Sequence, residues 1–322
     1  MTTASSCAKL GFVFPGQGSQ SIGMVAALAA EFGEVRARFD VATEVLGFDL
    51  WKLVSDGPAE ELNRTQNTQP ALLAASVATW DIWTHLAGPL PGVMAGHSFG
   101  EYSALVCAGA LDFAAAIALV AERGRLMQEA VPSGQGAMAA ILGLDLGALE
   151  QVCAEAALGG GVCSCANLNA PGQIVIAGSA ATVDRACELA GTRGAKRAMK
   201  LQVSVPAHCA LMTPAAERLA KRLAAVHFET PRLTVLHNVD VTCHNNATEI
   251  RDVLTRQLYS PVRWIETIEQ FARAGITHIA ECGPGKILAP LIKRIDKNLH
   301  TIGLNEPANV RDFIALARNE LS

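Results

Sequence analysis

The fold is decided by the stretch Met94-Ala95-Gly96-His97-Ser98-Phe99-Gly100-Glu101. Residues 96–100 fit the pattern G-x-S-x-G, a sharp strand-to-helix turn that holds a serine hydroxyl above a sheet. Residues 90–95 can form a short buried strand, and residues 101–108 are typical of the first turns of a helix. The two glycines are expected because a tight elbow brings neighbouring backbone too close for side chains. The pattern predicts a nucleophilic Ser98, with a purely structural serine turn as the alternative.

A second glycine-rich turn, Pro15-Gly16-Gln17-Gly18-Ser19-Gln20, follows a predicted first strand at residues 9–14. Such a turn presents backbone N–H groups that can cradle an anion. It is not a P-loop, because no Gly-Lys-Ser/Thr follows, and it lacks the third glycine of the dinucleotide fingerprint. Gln17 therefore becomes a candidate site residue only in combination with Ser98.

Composition predicts a well-buried enzyme rather than a nucleic-acid-binding or membrane protein. Half of the 322 residues are hydrophobic, 17% are charged, and the net charge of −4 leaves no basic excess to engage phosphates. The nine cysteines are an odd number without a C-x-x-C pair, which favours free thiols in a reducing cytosol. Residues 102–121 are apolar, but Gly109 and Asp112 interrupt them, so two packed helices are expected there instead of a membrane span. With no signal peptide recognised at residues 1–7, we expect a cytoplasmic location.

The order of predicted elements divides the chain into two domains. Residues 134–203 follow the order β-α-β-β-α-β, the ferredoxin-like supersecondary pattern. Elsewhere helices and strands alternate, which predicts a mainly parallel sheet with helices on both faces. We therefore predict an α/β fold, with a large domain at 1–133 and 204–322 and a small inserted domain at 134–203. The inserted domain is expected to contain strands at 137–142, 162–167, 173–176 and 198–205, and helices at 146–157 and 180–190.

A serine at neutral pH is a poor nucleophile and needs a base within hydrogen-bond reach. The chain has eight histidines. His208 is favoured because it follows Pro206 at a strand-to-helix junction, where the chain re-enters the large domain. His97 adjoins Ser98, but a residue that flanks a nucleophile on a tight turn usually points away from it. The seven other histidines remain alternatives on this reasoning alone.

Six motifs, in this order along the chain, resemble the malonyl-CoA:acyl carrier protein transacylase family. They are FPGQGSQ at 14–20, GHSFGEY at 96–102, RGRLMQ at 123–128, VPAH at 205–208, RQLYSPV at 256–262 and ECGPGK at 281–286. The resemblance covers residues 9–306 and implies an α/β-hydrolase-like large domain with a ferredoxin-like insertion. It also implies transfer of malonyl from malonyl-CoA to the phosphopantetheine thiol of acyl carrier protein, in support of fatty acid biosynthesis.

The resemblance assigns catalytic roles to individual residues. Ser98 would be the acylated nucleophile and His208 its general base and acid, in a ping-pong reaction through a malonyl-serine ester. The oxyanion hole would be formed by the backbone N–H groups of Phe99 and Gln17. The other ring nitrogen of His208 would be held by a backbone carbonyl, which we assign to Asn238.

Substrate selection is assigned to two further residues. Arg123 alone would be read as a solvated helix charge, but the resemblance makes it the bidentate partner of the malonyl carboxylate. Gln257 is expected to line the same pocket and to hold Arg123 or the substrate. Ala207 stands where relatives usually carry serine, which leaves a minor tolerance of methylmalonyl open.

The expected partners are malonyl-CoA and holo acyl carrier protein, with no nucleic acid, membrane, metal or cofactor, and we expect a monomer. Because the carrier is acidic, basic surface patches are candidates for docking it. One consists of Arg193, Lys196, Arg197 and Lys200, and the other of Lys286, Lys293, Arg294 and Lys297. A trans-acting polyketide acyltransferase, an acyl hydrolase of the same fold and a non-catalytic docking module remain alternatives.

Overall fold

The computed structural model describes residues 6–201, 203 and 205–321. The strands are β1 (Ser6–Phe14), β2 (Leu90–Gly96), β3 (Gly136–Leu142), β4 (Cys163–Ala170), β5 (Gln173–Ser179), β6 (Arg197–Lys200), β7 (Val235–Leu236), β8 (His278–Glu281) and β9 (His300–Gly303). The helices are α1 (Ala26–Glu31), α2 (Gly33–Leu46), α3 (Leu50–Asp56), α4 (Ala59–Leu62), α5 (Thr65–His85), α6 (Gly100–Cys107), α7 (Phe113–Ala130), α8 (Leu146–Ala157), α9 (Ala180–Thr192), α10 (Thr213–Ala224), α11 (Ala247–Arg256), α12 (Trp264–Arg273), α13 (Leu288–Ile295) and α14 (Pro307–Glu320).

The larger sheet is parallel and runs in the order β7-β2-β1-β8-β9. Side chains alternate along its central strand, so Phe12 and Phe14 enter the core cluster on one face and Val13 enters the cluster on the other. Helices therefore cover both faces, and the prediction of an α/β fold with a mainly parallel sheet is confirmed.

The smaller sheet is antiparallel and runs in the order β4-β5-β3-β6, with α8 and α9 packed against it. Its elements follow one another as β-α-β-β-α-β, the ferredoxin-like pattern. The domain limits at 134 and 203 stay a prediction, although all four strands lie between them. The predicted strand at 198–205 ends earlier, at Lys200, and it includes Gln202 and Ser204, which lie outside the described residues. Residues 1–5 and Ser322, placed in the large domain by the prediction, also lie outside them.

Three local features differ from what the sequence pattern indicates. The polar stretch at 63–69 is typical of a loop, but α5 begins at Thr65. Its first turns are buried against α7, where Gly124 permits close packing: a Cβ there would lie 2.6 Å from Gln66 Cα. The largely apolar run at 233–239 is typical of a longer strand, but only β7 forms within it, and β9 is an edge strand that the sequence pattern does not indicate.

The apolar stretch at 102–121 folds as the two helices α6 and α7, joined by a turn, as predicted. Asp112 caps α7 by accepting a hydrogen bond from the backbone N–H of Ala115 at 2.9 Å. Among the described residues, no helix combines the length and the apolar character needed to span a bilayer.

A buried carboxylate fixes α13 beside the carboxyl edge of the parallel sheet. Glu281, at the end of β8, accepts hydrogen bonds from the backbone N–H groups of Ile287, Leu288 and Ala289, each at 2.9 Å. These are orphan donors at a helix N-terminus, which a carboxylate satisfies well. The contact brings α13 next to the turns that follow β1 and β2, where the candidate site lies.

Candidate active site

The turn after β2 is a nucleophile elbow built by steric necessity. Ser98 has a φ of +55°, the left-handed conformation that side-chain-bearing residues seldom adopt. A Cβ on Gly96 would lie 1.9 Å from the carbonyl carbon of Gly100, and a Cβ on Gly100 would lie 2.4 Å from Phe14 O. Only glycine fits at both positions, so the motif folds as the sequence predicts.

Ser98 and His208 form a hydrogen-bonded pair. Ser98 Oγ lies 2.7 Å from His208 Nε2, and His208 Nδ1 lies 2.8 Å from the carbonyl oxygen of Gln257. Because a carbonyl only accepts, the proton is assigned to Nδ1, which leaves Nε2 free to accept from the serine. His208 also has a positive φ, +62°, and its N–H donates to Leu258 O at 2.9 Å. Both members of the pair thus sit in strained backbone that the surrounding structure must hold.

The assignment of Asn238 as the carbonyl that orients His208 is wrong, because Gln257 supplies that oxygen. Asn238 instead holds the elbow through its side chain. Its Oδ1 accepts from Ser98 N and its Nδ2 donates to Gly96 O, both at 2.8 Å. Its own backbone N–H donates to Glu101 Oε1 at 3.0 Å. Asn238 is completely buried, so these bonds are shielded from water.

Burial and a nearby cation keep His208 neutral. Desolvation is the larger cause and the positive charge of Arg123 the second, and together they lower the pKa of His208 to about 3. At neutral pH the imidazole is therefore unprotonated, the form that can accept a proton from Ser98.

Gln257 connects Arg123 to the serine. Its Oε1 accepts from Arg123 Nη2 at 3.0 Å, while its Nε2 donates to Ser98 O at 2.9 Å. Arg123 is 1% exposed, and its Nε has no hydrogen-bond partner among the described residues. Burial lowers the pKa of this guanidinium. The arrangement leaves donor capacity on a buried cation one side chain away from Ser98.

The glycine-rich turn after β1 packs directly on the elbow. A Cβ on Gly16 would lie 2.7 Å from His97 O, so only glycine permits this approach. The approach brings Gln17 to the same cavity as Ser98. Neither Gln17 N nor Phe99 N donates to an acceptor in the described part of the chain. Two free backbone donors near a nucleophile are what an oxyanion hole requires.

A cavity of about 170 Å³ opens above the pair. Ser98 and His208 lie at its base, Gln17 and Asn167 contribute polar walls, and Leu291 of α13 contributes an apolar one. The small antiparallel sheet and the turns that follow β1 and β2 thus both border the cavity. Arg123 and Gln257 are both fully buried and neither lines this cavity, so the expected lining role of Gln257 is not seen here, although its side chain does hold Arg123.

Two contacts near the elbow escaped prediction from sequence. His97 Nε2 lies 2.8 Å from Asn169 Oδ1 of β4, so its side chain ties the elbow to the small sheet. Behind the elbow, Glu101 Oε1 lies 3.0 Å from His237 Nδ1, and burial raises the pKa of this carboxyl. The position of Glu101 in the first turn after the elbow was a usable signal, whereas nothing in the sequence marked Asn169.

Fold and site together define an α/β protein that carries a serine–histidine pair on a nucleophile elbow. Comparison with known proteins narrows this class. The acyl transferase domain family matches residues 11–298. The malonyl CoA-acyl carrier protein transacylase of Haemophilus influenzae is 57% identical over 310 residues, covering 95% of this chain and 99% of the relative.

Comparison with solved structures leads to the same family. The malonyl CoA-acyl carrier protein transacylase of Coxiella burnetii superposes with a TM-score of 0.95 at 50% identity, covering 97% of this chain and 99% of that one. A malonyl transacylase in complex with its type II PKS acyl-carrier protein superposes with a TM-score of 0.94 at 51% identity, covering 95% and 99%. The chain belongs to the malonyl CoA-acyl carrier protein transacylase family.

Proposed function

We propose that this chain transfers malonyl from malonyl-CoA to the phosphopantetheine thiol of acyl carrier protein. The observation that carries the proposal is the continuous connection from Ser98 through His208 and Gln257 to Arg123. A nucleophile, a neutral base and a buried cation within one network suit an acyl donor that ends in a carboxylate.

In the first half-reaction Ser98 Oγ attacks the thioester carbonyl while His208 Nε2 takes its proton. The N–H groups of Gln17 and Phe99 stabilise the oxyanion that forms. When the tetrahedral intermediate collapses, the C–S bond breaks and the CoA sulfur takes the proton back from His208. Arg123 holds the malonyl carboxylate, with Gln257 keeping the guanidinium in place. The product is a malonyl-serine ester.

In the second half-reaction the carrier's thiol gives its proton to His208 and attacks the ester carbonyl. Collapse returns the proton to Ser98 Oγ and releases malonyl-carrier. Because one histidine moves the proton in all four steps, it must begin each half-reaction unprotonated, and the lowered pKa of His208 keeps it neutral at pH 7.

A short pulse with malonyl-, methylmalonyl- and acetyl-CoA, followed by mass spectrometry of the Ser98 peptide, tests the proposal. We expect one malonyl group on Ser98, less of the other acyl groups, and discharge of the malonyl to holo carrier. Ser98→Ala serves as the control and should stay unmodified. Release of free malonate alone, in the presence of carrier, would identify an acyl hydrolase. An unmodified wild-type Ser98 would favour the docking module.

The finer assignments are predictions as well. We propose that the product enters fatty acid synthesis, as the resemblance implies. The structural relative bound to a type II PKS carrier makes polyketide carriers a natural second acceptor to assay. Monomeric state and cytoplasmic location are likewise carried forward as predictions, to be measured by sedimentation and cell fractionation.

A further inference from the structure

Three cysteines meet on one side of the small sheet. Cys163 and Cys165 are two residues apart on β4, so their side chains point to the same face. Cys153 of α8 belongs to the same hydrophobic cluster as both and lines one cavity with them. Cys153 is 3% exposed, whereas Cys163 and Cys165 are only half-buried. A buried thiol therefore lies against two that solvent can reach.

The three thiols line a second cavity, of about 450 Å³, where the small sheet meets the large domain. His208 and Tyr259 also line it. The cavity gives a small reagent a route to Cys163 that does not pass through the cavity above Ser98. None of the steps proposed for acyl transfer uses these thiols.

Cys163 is favoured as the reactive member. The hydrogen bond from Cys153 and the positive charge of Arg185 lower the pKa of the Cys163 thiol. Arg185 is held in place because its guanidinium donates to the carbonyl oxygens of Ala156 and Gly160. An accessible thiol of lowered pKa beside a second cysteine is the arrangement found in oxidant-sensitive pairs.

We propose that Cys163 and Cys153 form a reversible oxidation site for peroxides. The Cys163 thiolate attacks the peroxide O–O bond, which leaves a sulfenic acid on Cys163 and releases water or an alcohol after protonation. The Cys153 thiol then attacks the sulfenic sulfur, the S–O bond breaks, and water leaves as the disulfide forms. Two thiols are oxidised while one peroxide is reduced, and a small dithiol reverses the bond by exchange.

The experiment treats the full chain with hydrogen peroxide, blocks free thiols with iodoacetamide and digests without reductant after glutamate. Cleavage after Glu150, Glu155 and Glu188 separates residues 151–155, which contain Cys153, from residues 156–188. We expect these two peptides to be joined by a disulfide that dithiothreitol removes. If the two peptides remained unlinked after the peroxide had been consumed, the proposal would be overturned.

Single variants identify the partners. Cys163→Ser should slow the cross-link by about tenfold or more, since the thiol whose pKa is lowered is then absent. Cys165→Ser should not slow it, and Cys187→Ser is the matched control from the same hydrophobic cluster. In Cys153→Ser, the sulfenic acid on Cys163 should persist and react with a 1,3-diketone. Cross-linking of Cys163→Ser at the wild-type rate would refute the assignment.

Discussion

Arg123 acts on the protonation of His208 as well as on the substrate. Replacement by glutamine, Arg123→Gln, removes a charge-assisted bond to malonyl and should lower the acylation rate by roughly 10–100-fold. It also removes a positive charge that lowers the pKa of His208. That pKa should rise from about 3 but stay below 6.5, because burial is the larger cause. Only neutral His208 accepts a proton, so the acid limb of the pH–rate profile for acylation should move to higher pH. Rapid-quench kinetics between pH 3 and pH 8 would measure this shift.

The matched variant is Arg123→Lys, which keeps a positive charge but not the bidentate fork. It should lose acylation rate while its acid limb remains close to that of the wild type. If both variants shifted the limb equally, the charge of Arg123 would not be what lowers the pKa of His208.

Asn238 is predicted to position Ser98 without touching substrate. In Asn238→Ala the bonds to Ser98 N and Gly96 O disappear, and the elbow loses the clamp on its positive-φ serine. Small misplacements of a nucleophile can cost about 100-fold in rate, so we expect kcat for malonyl transfer to fall by about that factor. The KM for malonyl-CoA should change little, because Arg123 and Gln257 remain in place.

The variant Asn238→Asp tests the hydrogen bonds to Ser98 N and to Gly96 O one at a time. Aspartate still accepts from Ser98 N, but its second oxygen faces Gly96 O, where a donor is needed. An intermediate kcat is expected, together with a lower thermal midpoint than that of the wild type. An Asn238→Ala variant with wild-type kcat would show that the strand and helix hold the elbow unaided.

The glycine turn after β1 and the elbow after β2 depend on their mutual approach. In Gly16→Ala the new Cβ would lie 2.7 Å from His97 O, a backbone atom that cannot move aside cheaply. The turn must shift and take Gln17 N with it. Loss of one oxyanion donor costs ~3 kcal/mol of transition-state stabilisation, so acylation should slow by about 100-fold. Single-turnover acylation by malonyl-CoA measures this.

Gly33→Ala is the control, because a Cβ there meets nothing within 4 Å and the position does not need a positive φ. It should preserve the acylation rate. A Gly16→Ala protein that is folded and acylates at the wild-type rate would exclude Gln17 N from the oxyanion hole.

Elements with strong local signals were predictable, and those created by distant contacts were not. Helix α8 begins and ends where predicted, since Asp145 caps it through Ala148 N. The elbow was predictable because any side chain at its two glycine positions would clash with neighbouring backbone. The start of α5 was missed because burial against α7 stabilises polar residues that favour a loop in isolation. The carbonyl of Gln257 was missed for another reason: a backbone oxygen has no signature in the sequence.

Charge is unevenly distributed over the molecule, whose net charge is −4. In the patch on the small sheet, Arg193 is paired with Glu155, and Lys200 is paired with Asp184 at 2.7 Å. The patch around α13 differs, because in the described part of the chain no ion pair involves its four cations, Lys286, Lys293, Arg294 and Lys297. It also adjoins exposed Ile287 at the mouth of the cavity. An acidic partner therefore finds uncompensated positive charge there.

The double variant Lys286→Glu/Lys293→Glu should raise the KM for holo carrier by about tenfold, through a slower association that depends on ionic strength. Acylation by malonyl-pantetheine, which carries no phosphate, should be unaffected, because neither lysine lies in the network of Ser98. The double variant Lys52→Glu/Lys221→Glu, at exposed lysines of α3 and α10, changes the net charge by the same amount and is the control. Equal effects of the double variant on carrier and malonyl-pantetheine would point to damage at the site. An unchanged KM for carrier would direct attention to Lys196 and Arg197 on the small sheet.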